Sequence, residues 1–177
     1  MFELLFQKFD EKIKLTEEEK QLSSKFFISK KLRKKQYLLQ QGDVCNYAAF
    51  VEKGLLRSYT INDKGKEGIT QFAFEGWWIA NQLSLLTGNP SEYNIDSLED
   101  SELLLLTKQA EEQMLEKIPK LERYFRILLQ NSLIATQKRL ASSLGKLQKK
   151  DILNLSMPAR QHFRKEYLSI CSLLFLV

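Results

Sequence analysis

Few side chains in this sequence could do nucleophilic or metal chemistry. There are two cysteines, Cys45 and Cys171, 126 positions apart, and one histidine, His162. A zinc ribbon or finger needs four Cys or His ligands at short spacing, and a disulfide scaffold needs several pairs, so both are excluded. A Cys–His nucleophile pair stays open by counting alone, since such partners meet in space rather than in sequence. Two thiols this sparse fit a reducing cytoplasm. Two further features could meet a ligand. The adjacent Trp77-Trp78 could stack on a flat ring or anchor a core. The run Lys30-Lys31-Leu32-Arg33-Lys34-Lys35 has five cations in six positions. It could touch phosphate, or it could be the solvated entry to a strand.

The formal charge of +5 is unevenly placed. Residues 1–136 carry 19 basic and 20 acidic side chains, whereas 137–177 carry eight basic ones against Asp151 and Glu166. The positive excess is therefore C-terminal, which suits either a polyanion touching that end or a solvated basic helix. No run of 18 apolar residues exists, so no membrane-spanning helix is expected. Met1-Phe2-Glu3-Leu4 lacks the start of a signal peptide.

Glycine and proline divide the elements that must position these groups. Residues 1–28 contain neither, and Leu4, Leu5, Phe9, Ile13, then Leu22, Phe26 and Phe27, recur at helical steps. Two amphipathic helices are expected, with Thr16-Glu17-Glu18-Glu19 as a capping box. Six of seven glycines fall within 42–88. There, short strands are expected around Tyr37–Leu39, Tyr47–Val51, Leu55–Ile61, Gly68–Phe74, Tyr93–Leu98 and Glu102–Leu106, making an antiparallel sandwich or barrel. Trp77 to Leu86 has neither alternation nor turn residues and predicts a short helix. Gln109–Lys117 predicts another. From Pro119 to about Gln148 one long helix follows, with apolar residues drifting around it. Phe125, Leu129, Leu133, Thr136 and Leu140 are its expected face for a second copy of the chain, across a two-fold axis.

This layout resembles the Crp/Fnr family of bacterial transcription regulators. Lys34-Lys35-Gln36-Tyr37-Leu38-Leu39-Gln40-Gln41-Gly42-Asp43 is similar to the family's first roll strand and its Gly-acid turn. Phe50-Val51-Glu52-Lys53-Gly54-Leu55-Leu56-Arg57 is similar to the next hairpin. Gly65-Lys66-Glu67 and Phe72-Ala73-Phe74-Glu75-Gly76 are similar to the following ones, and Ile118-Pro119-Lys120 to the entry of the dimerisation helix. The resemblance covers about residues 15–145. It implies an α+β fold: an antiparallel β-roll (a jelly roll of the cyclic-nucleotide-binding kind) flanked by N-terminal helices and a long C-terminal dimerisation helix. The expected division is 1–118 for helices and sensor roll, 119–148 for the dimer helix and 149–177 for an atypical basic and apolar tail.

In nucleotide-binding members a Gly-Glu pair approaches the phosphate and holds the ribose hydroxyl, and an Arg about ten residues later neutralises the phosphate. The resemblance puts Ala80 and Asn81 at the Gly-Glu positions, Ser91 at the Arg position with Glu92 beside it, and Thr136 and Gln137 where the long helix would reach the base. Without the Arg, and with a carboxylate nearby, useful binding of cAMP or cGMP is not expected. Ala80, Asn81, Gln82, Ser91, Glu92, Tyr93, Thr136 and Gln137 are left as the candidate pocket, either for a different small effector or as a filled-in site. The family's winged helix-turn-helix would follow the long helix, yet 146–177 show no such pattern and end on Ile170-Cys171-Ser172-Leu173-Leu174-Phe175-Leu176-Val177. That segment reads as a frame-disrupted remnant or as a selected tail, and DNA binding by this chain itself is doubtful.

The expected role is thus an effector-sensing, homodimeric regulator domain in the cytoplasm, without catalytic residues, metal or cofactor. The alternative is a stand-alone dimeric interaction module with an empty roll. A cupin-type enzyme would need clustered His and carboxylate ligands, and the one histidine lies outside the roll.

Overall fold

The computed structural model describes residues 2–145, in two units that divide after Leu128. His162, Cys171 and the tail from 146 lie outside the described residues.

Helices α1 (Glu3–Asp10) and α2 (Glu17–Ser24) form where the apolar spacing places them. The capping box closes both ways: the Thr16 hydroxyl accepts the Glu19 N–H at 3.2 Å, and the Glu19 carboxylate accepts the Thr16 N–H at 2.7 Å. That satisfies two donors that the first turn leaves without partners.

Eight strands follow among the described residues: β1 (Ile28–Leu32), β2 (Tyr37–Leu39), β3 (Ala48–Lys53), β4 (Leu56–Ile61), β5 (Glu67–Ala73), β6 (Trp78–Ile79), β7 (Asn94–Ser97) and β8 (Ser101–Leu106). They make two four-stranded antiparallel sheets, ordered β1-β8-β3-β6 and β2-β7-β4-β5. Gly54 turns β3 into β4 with φ at +99°, where a Cβ would collide with Ser101. Only glycine serves there.

The apolar run Leu103–Leu106 in β8 has no polar face because both of its sides are covered. Leu103 and Leu105 join Leu32, Val51, Leu56, Ala73, Ile79 and Ile95 in the core inside the roll. Leu104 and Leu106 join Phe50 on the opposite face, against Leu5, Phe9, Met114, Leu121 and Tyr124 of the helices. Alternate residues of a strand point to opposite faces, so a strand with a core on both sides must be apolar throughout.

The helix expected over Trp77–Leu86 is corrected. Trp78 and Ile79 form β6, paired with Phe50 and Ala49, and helix α3 is confined to Gln82–Thr87. Register with β3 sets Trp78 against Phe50, with ring centroids 5.4 Å apart, and against Phe125 at 5.6 Å. Its indole N–H donates to the Tyr124 hydroxyl at 3.2 Å. Trp77, one position earlier, is 53% exposed, with its ring edge-on to Phe74. The pair therefore holds one core anchor, not two.

Thr107 caps α4 (Lys108–Lys117) by accepting the Ala110 N–H at 3.0 Å. After Ile118-Pro119 comes α5 (Lys120–Gly145). Its residues up to Leu128 belong to the first unit, where Phe125 and Leu128 pack on the helix-side core. No helix among the described residues is long and apolar enough to cross a membrane.

Candidate functional site

Asn81 caps α3, its side-chain oxygen accepting the Ser84 N–H at 3.2 Å. That leaves the amide nitrogen free to turn outward from the helix axis, and it donates to the Ser91 hydroxyl at 2.8 Å. Ser91 also accepts the Tyr93 N–H at 3.0 Å and donates to the Tyr93 carbonyl at 2.9 Å. One donor and two lone pairs are all a serine hydroxyl has, so it is saturated. Both residues are buried, Asn81 at 7% exposure and Ser91 at 3%.

The loop between β2 and β3 seals this knot. Gly42 N–H donates to the Ser91 carbonyl, Ser91 N–H to the Asp43 carbonyl and Cys45 N–H to the Ser84 hydroxyl, each at 2.8 Å. The Ser84 hydroxyl donates in turn to the Asn89 carbonyl at 2.5 Å. Gly88, at φ +75°, ends α3 in the left-handed conformation that lets the chain reverse into this contact.

Of the residues singled out from the sequence, the structure joins Asn81 to Ser91 and places Tyr93 against Ser91. Ala80 is half-buried, and Gln82 and Glu92 are exposed. Among the described residues Glu92 makes no ion pair. Thr136 and Gln137 are exposed in the second unit. Of the expected dimer face, Leu129 is 61% exposed, Leu133 45% and Leu140 40%, and Thr136 is exposed as well. Phe125 differs, because it packs on Trp78 and Tyr124 of its own core.

Two features went unread in the sequence. Arg57 on β4 grips Asp96 on β7 through two N–H donors, at 2.8 and 3.1 Å, and Glu67 on β5 at 2.6 Å, with its guanidinium 4.2 Å over the Tyr59 ring. The Asp96 bonds first, and Glu67 second, hold the Arg57 guanidinium above its ordinary range. This cation is committed to carboxylates rather than open to a phosphate. The alternation of Arg57 and Tyr59 on one strand was a signal; the position of Asp96 opposite Arg57 was not, because it depends on register. The second feature is a recess of about 420 Å³ beside β2, lined by Tyr37, Leu39, Asp43, Cys45, Tyr47 and Ile95. Among the described residues no group of three or more His, Cys, Asp or Glu could hold a metal ion.

Comparison with known proteins gives this geometry its context. No curated protein sequence matches the chain significantly. The fold is similar to that of a cyclic nucleotide-binding domain from Methylobacillus flagellatus, at 20% identity and TM-score 0.67 over 83% of this chain and 84% of that one. It is also similar to the Thermus thermophilus catabolite activator protein, at 22% identity and TM-score 0.62 over 71% of this chain; the chain spans 59% of that protein's length. The sensor domain of the transcriptional regulator DNR from Pseudomonas aeruginosa matches at 16% identity and TM-score 0.58, over 84% of this chain and 93% of that one. The family model of the cyclic nucleotide-binding domain matches residues 29–118, half of the chain and the whole of the roll but its first residue. With its roll, α3 and flanking helices all in place, the chain belongs to the cyclic nucleotide-binding domain family.

Proposed function

We propose that this chain is the sensor part of a Crp/Fnr-like transcription regulator that does not use cAMP or cGMP. The observation that carries this is the hydrogen bond between Asn81 and Ser91. The resemblance puts these residues at the positions that hold ribose and phosphate, and here they hold each other, nine-tenths buried, with no cation between them. A cyclic phosphate entering there would have to break a saturated knot and would meet no charge to compensate its own. The kinship to a catabolite activator protein and to the DNR sensor domain supports the regulatory role. The exposed Leu129, Leu133 and Leu140, at four- and seven-residue steps, support a helical seam to a second copy of the chain. Reading of DNA is assigned to no residue up to Gly145.

The same knot favours a second reading, a dimeric interaction module with no effector. Thermal melting separates the possibilities. A ligand at 100 times its dissociation constant adds about 2.7 kcal/mol, and a chain of this size gains about 2–4 °C per kcal/mol. cAMP and cGMP at millimolar concentration are expected to leave the melting temperature unchanged. A shift of several degrees with either would overturn the proposal. A shift with another small molecule from a metabolite library supports the sensor; a flat response to the whole library supports the module.

A further inference from the structure

β1 is an open edge of its sheet: β8 pairs with one side of it, and among the described residues no strand covers the other. Its first four residues are exposed, Ile28 by 51%. Ile28 and Lys30 share one side of the strand, and Ser29 and Lys31 the other. The turn that follows is pinned by its own backbone. Arg33 N–H donates to the Gln36 side chain at 2.7 Å, Lys34 N–H to Asp100 at 2.8 Å and Lys35 N–H to the Ser97 carbonyl at 2.7 Å. Beside it lies a recess of about 470 Å³, lined by Leu32, Arg33, Gln36, Lys53, Asp100 and Ser101 among others.

Charge around this edge is strongly one-sided. Lys30, Lys31, Arg33, Lys34, Lys35 and Lys53 are all exposed, against Glu99, Asp100 and Glu102. Lys31 pairs with Glu102 at 2.8 Å, and this pairing holds the Glu102 carboxyl below its ordinary range. The other five cations form no ion pair among the described residues. Lysines on an edge strand ordinarily repel stray strands. The same charges become an attraction for a strand that carries carboxylates, and so select one class of partner. Nucleic acid could meet the cations but cannot complete the backbone ladder, so the open edge favours a polypeptide.

We propose that the β1 edge docks an extended acidic segment of a partner protein, which adds as a fifth strand with carboxylates at Lys30, Lys31 and Arg33 and an apolar residue beside Ile28. The test uses the full chain and a fluorescent eight-residue peptide of Glu and Val, with Glu on both faces of the strand and Val at the position that meets Ile28. Three comparisons accompany it: the same peptide fully N-methylated on its backbone, a Lys-Val peptide, and a single-stranded DNA oligonucleotide of equal charge. The Glu-Val peptide is expected to bind, to slow amide exchange at residues 28–32, and to lose about tenfold in affinity with the Lys30→Glu, Arg33→Glu double variant. The N-methylated and Lys-Val peptides are expected not to bind. Equal binding of the N-methylated peptide, tighter binding of the DNA, or no binding of the Glu-Val peptide would each overturn the proposal. Both substituted residues are exposed, and circular dichroism checks that the variant stays folded.

Discussion

Closure of the site by Asn81 and Ser91 can be weighed by a double-mutant cycle. Ser91→Ala strands the buried Asn81 amide and the half-buried Tyr93 N–H, which the hydroxyl now satisfies at 2.8 and 3.0 Å. A buried donor left without a partner costs about 1–3 kcal/mol, and the loop can relax enough to hydrate one of them, so a loss of about 2–4 kcal/mol is expected. Asn81→Ala removes the cap on α3, worth about 1 kcal/mol, together with the bond to Ser91, for about 1.5–3 kcal/mol in all. Because both single changes break the same bond, the double variant should cost less than their sum, with a coupling of about 1–2 kcal/mol. Urea unfolding followed by fluorescence reads this directly, since Trp78 sits in the core that unfolding exposes. Single-variant costs under about 0.5 kcal/mol with no coupling would refute the reasoning. They would mean that the site is hydrated and open, and the case against cyclic nucleotides would lose its structural basis.

Three further expectations follow from the same geometry. Arg57→Leu leaves the Asp96 carboxylate, 9% exposed, without its partner, which should cost about 3–5 kcal/mol in chemical denaturation, while Arg57→Leu with Asp96→Leu should recover more than half of that. Burial raises the Glu52 carboxyl above the ordinary carboxylate range, and the bond it accepts from the Leu5 N–H only partly opposes this. A raised acid binds its proton more tightly in the folded state, so its stabilising effect is complete below the ordinary carboxylate range and is lost as pH climbs through the raised folded value. Glu52→Gln keeps an acceptor for Leu5, and should therefore flatten stability across pH 4–7 and match or exceed the parent at neutral pH. Leu133→Glu places a charge on the exposed face of α5, and light scattering should find a dimer for the parent and a monomer with an unchanged circular dichroism spectrum for the variant; a monomeric parent, or a variant that stays dimeric, would remove the helical seam from the proposal.

The amino-acid sequence by itself determined what depends on neighbours a few positions apart. The capping box at Thr16, the turn at Gly54, the apolar run of β8 and the order of helices around a roll were all legible, because cap chemistry, φ preference and hydrophobic period act locally. The lack of an arginine at Ser91 was legible only through the family resemblance. What Ser91 meets was not: Asn81 reaches it across ten residues, once α3 has ended at Gly88 and loop 41–45 has closed over it. Arg57 met Asp96 across 39 residues, by a strand register that no local pattern specifies. Trp77 and Trp78 were indistinguishable as letters, and the pairing of β6 with β3 decided which ring packs against the core. Tertiary structure decides such contacts because a polar side chain takes its role from the partner brought to it, and that partner is set by the packing of whole elements.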